Sequence, residues 1–236
     1  MSAWHELVER DHELQNPTSA EKIRLAGTYL RLSSRTTVLD VACGKAGPAL
    51  ILAREFGCRV RGIDVSDVFV AEARRRIAAA GLDDRVSVEV GDAAEVSEWP
   101  PCDAALCLGA AFVWGHVGDA AAVLAGIVGS GGAIAVGEPF WRERGRSGGQ
   151  PLTTSAESGF VDLAGTVARF EAAGVDLTGI VATSEDDWDR YVSLQWRAAV
   201  ETGGDEVMHR HHGRRDEYLS ARRAELGWAI FTGRVR

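Results

Sequence analysis

The chain has 236 residues, of which 46% are hydrophobic, and this is enough to bury one sizeable core. Its 34 acidic residues outnumber 26 basic ones, and the formal charge of -8 argues against nucleic acid as a partner. The charged N-terminus and the lack of a long apolar run argue against a signal peptide or a membrane span. We therefore expect a cytoplasmic protein with a single domain, 1–236, whose oligomeric state the sequence leaves open.

The first 35 residues predict two helices, at 3–14 and 19–32, separated by a breaker run that includes Asn16 and Pro17. From Thr37, short apolar runs alternate with helical patterns, which is typical of βαβ units and a parallel sheet with helices on both faces. The five predicted strands of this block are TVLDV, RVRGIDV, RVSVEV, DAALCLGA and GAIAVGE.

The C-terminal part continues with a loop at 141–154, a helix at 155–173 and a sixth strand at 176–183. A helical insertion at 185–225 follows, too long for a structureless loop in a compact domain. The closing run LGWAIFTGRVR alternates well enough to form a last strand.

A turn of small residues lies directly between the first strand and its helix, at Ala42, Gly44, Ala46 and Gly47. Such a turn lets the backbone approach a ligand at the carboxyl end of the sheet, where α/β proteins bind ligands. Helix packing alone also explains a glycine-rich turn. The turn by itself therefore leaves a ligand loop and a packing turn equally open.

Two acids follow the next two predicted strands. Asp64 lies 20 residues after Gly44, the spacing at which an acid reaches a pair of ribose hydroxyls, and Asp92 follows the third strand. Each acid taken singly also fits a helix N-cap. Their joint placement favours a nucleotide-like cofactor, and the residues alone keep a nicotinamide dinucleotide open because Gly44 and Gly47 match two of its three usual glycines.

The motifs VLDVACGKAG, GIDVS and GDA, with GEPFW, WDRY and LGWAIF, resemble the class I S-adenosylmethionine-dependent methyltransferases. The resemblance spans nearly the whole chain and points to a bacterial small-molecule branch whose substrates are mostly unassigned. It implies a Rossmann-like, seven-stranded, mostly parallel sheet with the last strand antiparallel. It also implies a cofactor-binding core at 36–140, between the N-terminal helices and the insertion.

The same resemblance implies roles for individual residues. Asp40 and the backbone of Ala42 and Gly44 would hold the methionine part of S-adenosylmethionine, Asp64 the ribose hydroxyls and Asp92 the adenine amino group. Further contacts to the cofactor would come from Val65, Ala93, Cys107 and Leu108. Alanine stands at positions 42 and 46, where this family usually has glycine, and we expect binding to be retained.

The methyl acceptor is expected at the same sheet edge. Glu138 either binds the methyl acceptor or anchors a loop. His116 is either the general base or a solvated loop residue. Trp114 and Trp141 would be apolar walls of the pocket or ordinary core residues.

The insertion carries Trp188, Tyr191 and Gln195 on one helix face, which predicts either a lid over the acceptor with Tyr191 as a contact, or core packing. His5 and His12 are read as packing or solvated residues, and no metal site is expected. The predicted function is methylation of a small molecule, with O- or N-methylation favoured. The alternatives are an NAD(P)-dependent oxidoreductase and a non-catalytic S-adenosylmethionine-binding protein.

Overall fold

The computed structural model describes residues 3–142 and 159–236. Seven strands form its centre: β1 (Thr37–Val41), β2 (Arg59–Asp64), β3 (Val86–Val90), β4 (Ala104–Leu108), β5 (Ala133–Trp141), β6 (Val175–Ala182) and β7 (Leu226–Val235). The main helices are α1 (Ala3–Val8), α2 (Ala20–Tyr29), α3 (Gly47–Phe56), α4 (Asp67–Ala80), α5 (Val117–Val128), α6 (Leu163–Ala172), α7 (Glu185–Thr202) and α8 (Asp205–Glu217). A π-helical turn (Tyr218–Arg222) and the short α9 (Arg223–Glu225) lead into β7.

Local sequence explains where the helices begin and end. Ser66 caps α4 by accepting the N–H of Phe69, and Gly81 ends that helix in a left-handed conformation. Ser184 and Asp187 form a reciprocal capping box at the start of α7. These capping residues fix where the helices that follow β2 and β6 begin, just after the ends of those strands.

The strand order is β3-β2-β1-β4-β5-β7-β6. The strands β1 to β5 pair in parallel, and β7 lies antiparallel between β5 and β6. The predicted Rossmann-like sheet with an antiparallel last strand is confirmed. Because the chain builds outward from β1 through β2 to β3 and then returns to β4, the direction of winding reverses between β1 and β4.

Two apolar layers cover the sheet, one on each face. One layer packs α2, α3 and α4 against side chains such as Val38 and Leu106, and the other packs α5 and α6 against Val41 and Cys107. Successive residues of a strand alternate between these layers, so a side chain's position along its strand decides which layer it joins.

Two predicted boundaries differ from the observed ones. The first helix ends at Val8 rather than at residue 14, because residues 9–16 instead make contacts with distant parts of the chain. The described part of the helix predicted at 155–173 begins only at Leu163, after the N-cap Asp162. The loop predicted at 141–154 lies outside the described residues beyond Arg142.

The insertion at 185–225 is helical, and α7 contacts α1, α8 and α9. Across residues 3–142 and 159–236, no helix is long and apolar enough to cross a bilayer. Within the same ranges, His, Cys, Asp and Glu side chains form no group of three suited to a metal ion.

Candidate active site

A cavity of about 490 Å³ lies at the carboxyl ends of β1, β2 and β4, where the winding of the sheet reverses. Open α/β sheets bind ligands at this point because the loops on its two sides run apart. Small-molecule sites occupy roughly 300–1,000 Å³, so the cavity has the size of such a site. It is lined by the loops after β1, β2 and β4, by the segment between α1 and α2, and by α7.

The loop from β1 to α3 has an unusual backbone. Ala42, Gly44 and Ala46 all have left-handed conformations, with φ of 55°, 53° and 59°. Such a conformation costs alanine about 1–2 kcal/mol, whereas glycine adopts it freely. The two alanines therefore occupy positions whose backbone conformation favours glycine. The rest of the fold holds the loop in this conformation despite its energetic cost.

Replacing Ala42 with glycine is expected to stabilise the protein by about 0.5–1 kcal/mol, the relief of left-handed strain less the extra entropy of an unfolded glycine. Ala46 has nearly the same φ but is fully buried, so Ala46→Gly also loses packing of a methyl group and should gain less. Urea unfolding of both variants checks this. A larger gain for Ala46→Gly than for Ala42→Gly would contradict it.

Two carboxylates from neighbouring strand ends line the cavity, Asp40 on β1 and Asp64 on β2. Asp64 is 4% exposed and accepts the backbone N–H groups of Gly44 (2.8 Å) and Ser66 (2.9 Å). Asp40 is 2% exposed, and its Oδ2 has no hydrogen-bond partner among the described residues. Burial, with a further contribution from the charge of Asp64, raises the pKa of Asp40 to about 7.

An unpartnered buried carboxyl oxygen calls for a hydrogen-bond donor or a cation from a ligand. Asp64 is held by two N–H groups on the protein side, which fixes its orientation, and each carboxylate oxygen can accept more than one hydrogen bond. The two carboxylates therefore offer acceptors to hydrogen-bond donors or a cation of a ligand bound in the cavity.

The segment between α1 and α2 forms one wall of the cavity. Gln15 accepts the N–H of Lys45 through Oε1 at 2.7 Å, and Asn16 donates from Nδ2 to the carbonyl of Leu108 at 2.9 Å. A Cβ on Gly44 would lie 2.0 Å from Gln15 Oε1, and one on Gly109 would lie 2.0 Å from Asn16 Oδ1. A side chain at either position would have to displace Gln15 or Asn16, and the positive φ of Gly44 (53°) and Gly109 (84°) also favours glycine there.

Apolar side chains complete the cavity on the side of β2 and β4. Val65 and Phe112 line it and remain exposed, at 49% and 73%, while Phe69 is buried beneath them. The ring of His5 on α1 also lines the cavity and packs edge-on against Phe69, with 5.9 Å between ring centroids. One rim of the cavity is therefore apolar and open to solvent.

The structure brings together most of the predicted cofactor residues. Those that line the cavity are Asp40, Ala42, Gly44, Asp64, Val65 and Leu108, together with Tyr191 from α7. The other three lie elsewhere. Asp92 is exposed and accepts the N–H of Ala94, Ala93 packs against the layer that contains α5, and Cys107 is fully buried in that layer.

Sequence reasoning missed the contributions of the N-terminal segment. It read Asn16 as part of a helix break and His5 as a packing or solvated residue, yet both line the cavity with Glu13 and Gln15. The sequence signal was the breaker run itself, because a short polar loop between two helices is a common place for ligand contacts.

Glu138, predicted as an acceptor ligand or loop anchor, does not line the cavity. It is 6% exposed and points into the layer of α5 and α6, like Val136 and Phe140 on the same strand face. Burial raises its pKa to about 7, opposed in part by the charge of Arg169 and by the backbone N–H of Val117. This placement fits the loop-anchor alternative, since the carboxyl group holds the start of α5.

Glu138→Gln is expected to stabilise the protein at pH 8 by about 1–3 kcal/mol relative to the parent chain, and by far less at pH 5. A carboxyl group whose pKa is raised on folding contributes most below its unfolded pKa, and that contribution is lost as pH rises through about 7. Glutamine does not ionise. Unfolding by urea at both pH values checks this, and an equal effect at the two would contradict it.

His116 and the two tryptophans also lie outside the cavity lining. His116 is the N-cap of α5, where Nδ1 accepts the N–H of Gly118 at 3.1 Å. Trp114 packs against the α5 and α6 layer, and Trp141 donates its backbone N–H to the carbonyl of Val161. Nδ1 of His116, the nitrogen that would accept a proton, is engaged in capping α5. The contacts of all three residues therefore fit structural roles.

Comparisons with known proteins agree with this geometry. Residues 38–130 match the family model described as a methyltransferase domain. Over 235 residues, the chain is 32% identical to the uncharacterized protein YjhP of Escherichia coli K12, covering 95% of each chain.

Solved structures extend the likeness to the whole chain. A S-adenosylmethionine-dependent methyltransferase from Thiobacillus denitrificans, crystallised with S-adenosyl-L-homocysteine, matches with a TM-score of 0.88 and 30% identity over 100% of this chain and 99% of that one. A counterpart from Geobacter sulfurreducens, also with S-adenosyl-L-homocysteine, gives the same TM-score, identity and coverage. The sheet order, the paired carboxylates and these relatives lead to one conclusion: the chain belongs to the class I S-adenosylmethionine-dependent methyltransferases.

Proposed function

We propose that this enzyme transfers a methyl group from S-adenosylmethionine to an oxygen or nitrogen atom of a small molecule bound in the 490 Å³ cavity. The observation that carries the proposal is the pair of buried carboxylates, Asp40 and Asp64, at adjacent strand ends beside one cavity. Asp40 still has an unpartnered oxygen, which a ligand's ammonium group satisfies.

Residues of the chain would hold the cofactor in the following way. Asp40 accepts the ammonium group of the methionine part, the backbone of Ala42 and Gly44 lies along that part, and Asp64 accepts the ribose hydroxyls. Val65 and Leu108 supply apolar contacts to the adenosine. Asp92 follows β3, the strand next to Asp64, and we retain it as the acid for the adenine amino group.

Bound S-adenosylmethionine supplies an electrophilic methyl group on a sulfonium. The protein's part is to align the acceptor, exclude water and, for a hydroxyl or ammonium acceptor, accept a proton. Asn16, Phe112 and Tyr191 line the cavity beyond the cofactor residues and would form the acceptor's walls. Because the N-terminal segment and α7 border the same space, the acceptor must be small.

Proton removal falls to a different residue from those predicted. Among the described residues that line the cavity, the side chains able to accept a proton, apart from the two cofactor carboxylates, include His5 and Glu13. We assign the role to His5, whose ring lines the cavity beside Phe69, and we assign Glu138 and His116 to anchoring α5.

The test is transfer of label from S-adenosylmethionine carrying a tritiated methyl group, incubated with the enzyme and a bacterial cell extract. The extract is then separated by a membrane that retains proteins and nucleic acids. We expect enzyme-dependent label in a filtrate compound that chromatography separates from unreacted S-adenosylmethionine, and much less of it with the Asp64→Ala variant. Enzyme-dependent label found only in the retained fraction would overturn the assignment of a small acceptor.

A further inference from the structure

Two ionisable side chains are buried side by side where the N-terminal segment meets α7. Glu9 is fully buried and His12 is 2% exposed. Neither residue has a role in the function proposed above. Burying such groups is costly unless their hydrogen bonds are satisfied, so their partners reveal their protonation states.

The partners of Glu9 are donors from α7. Its Oε1 accepts the hydroxyl of Tyr191 at 2.7 Å and the Nε2 amide of Gln195 at 2.8 Å. The ammonium group of Lys45 lies close by and donates to the carbonyls of Glu9 and Arg10. Two neutral donors and a nearby cation all favour an ionised carboxylate.

One ring nitrogen of His12 must be protonated because of the atom that it faces. Nε2 lies 2.9 Å from the backbone carbonyl of Tyr191. A carbonyl oxygen only accepts hydrogen bonds, so Nε2 must carry hydrogen. If the ring were neutral, Nδ1 would then present a lone pair.

The other ring nitrogen faces the carboxylate. Nδ1 of His12 lies within ion-pair distance of Oε2 of Glu9, at 3.4 Å, and neither atom makes a hydrogen bond with any described residue. Two lone pairs facing each other in a buried site repel, whereas a proton on Nδ1 makes a charge-assisted contact. Two cations from other elements also act on this site: Lys45, after β1, interacts with Glu9, and Arg214 on α8 interacts with Tyr191.

We propose that Glu9 and His12 form a buried carboxylate–imidazolium pair that positions Tyr191 and the N-terminal segment against the methyl-transfer cavity. The proposal rests on the assignment of that cavity to the cofactor. Both residues act through others, so they are positioning residues rather than catalytic ones.

The pair reaches the cavity by two routes. Through α7 it holds Tyr191, whose hydroxyl and backbone carbonyl it occupies and whose ring lies edge-on to His12 at 4.8 Å between centroids. Through the chain it precedes Glu13, Gln15 and Asn16, which line the cavity. Arg76 ties this same stretch to the loop after β1 by donating to the carbonyls of Glu13 and Lys45.

Two substitutions of Glu9 separate its roles. Glu9→Gln keeps the shape, and its amide oxygen accepts from Tyr191 while its amide N–H donates to a neutral His12, so the positioning should survive without the charge. Glu9→Ala leaves the Tyr191 hydroxyl and the Gln195 amide without their acceptor. Asp11→Asn is the matched control, since Asp11 lies on the same segment in partly exposed ion pairs with Arg10 and Arg197.

The first measurement is the ¹⁵N NMR spectrum of the His12 ring in the full-length protein at neutral pH. We expect both ring nitrogens to be protonated in the parent chain and only Nε2 in Glu9→Gln. An unprotonated Nδ1 in the parent chain would overturn the proposed pair. This NMR measurement needs no ligand, so its result is independent of the proposed function.

The second measurement is the affinity for S-adenosylhomocysteine by calorimetry. Glu9→Ala should bind about tenfold more weakly, while Glu9→Gln and Asp11→Asn stay within about threefold of the parent chain. Parent-like binding by a folded Glu9→Ala protein, or a tenfold loss in Glu9→Gln, would overturn the positioning role. If the parent chain itself fails to bind, the cofactor assignment fails instead, and the NMR result still decides the pair.

Discussion

The Asp64→Ala variant is expected to bind S-adenosylhomocysteine at least about tenfold more weakly than the parent chain. Asp64 is buried at the end of β2 and is held in place by the N–H groups of Gly44 and Ser66. Removing the carboxylate deletes the proposed acceptor for the ribose hydroxyls and frees the N–H of Gly44 in the loop after β1. Calorimetric titration measures the loss directly.

Asp67→Ala is the matched control for this variant. Asp67 is an exposed acid three residues later, in the first turn of α4, and it does not line the cavity. Its removal should leave the affinity unchanged. Equal affinities for Asp64→Ala and the parent chain, with circular dichroism showing both folded, would refute the ribose role.

The second large effect is expected at Asp40, in the pH dependence of cofactor binding. Because burial raises the pKa of this carboxyl group to about 7, half of the ligand-free protein carries it neutral near pH 7. The ammonium group of the ligand binds the ionised form. Affinity for S-adenosylhomocysteine should therefore rise between pH 6 and 8, with release of protons on binding at the lower end.

Asp40→Asn should abolish this dependence and bind about tenfold more weakly at pH 8, where the parent carboxylate is charged. Asp103→Asn is the control, because Asp103 accepts the N–H of Thr37 at the opposite end of the same strands. Calorimetry in buffers of different ionisation enthalpy counts the released protons. A parent chain whose affinity is flat from pH 6 to 8 would contradict the role given to Asp40.

The sheet and the meeting of Asp40 and Asp64 at one cavity were predictable because they follow from local periodicity. Asp40 lies in an apolar run of strand length, and Asp64 ends the next one, so the carboxyl ends of parallel strands had to bring them together. This prediction needs no information on tertiary structure beyond the rule that the carboxyl ends of parallel strands meet at one edge of the sheet.

Glu138 shows where the strand-end rule is insufficient. It follows the same logic as Asp40, but alternation along β5 turns its side chain toward α5 and α6, while its neighbour Gly137 contacts Trp228 on the other face. Which face borders the ligand is a property of the assembled layers. The position of a residue at a strand end therefore predicts the sheet edge at which it lies, but not the sheet face toward which its side chain points.

The N-terminal segment was unpredictable for a different reason. Residues 9–16 have no regular structure, and their path is set by contacts distant in sequence, such as Lys45 to the carbonyl of Glu9 and Asn16 to that of Leu108. Their side chains carry a pattern that also fits a helix, which is why the first helix was predicted too long. Only the folded chain shows that Gln15 and Asn16 face the cavity.

The proposed function places both cofactor binding and methylation of the acceptor in the 490 Å³ cavity. A crystal structure of the protein with S-adenosylhomocysteine tests it most directly. We expect the ligand's ammonium group at Asp40, its ribose hydroxyls at Asp64 and its sulfur in the space bordered by Asn16 and Tyr191. Density for the ligand only in the adjoining cleft between α2, α3 and α7, with Asp40 and Asp64 untouched, would contradict it.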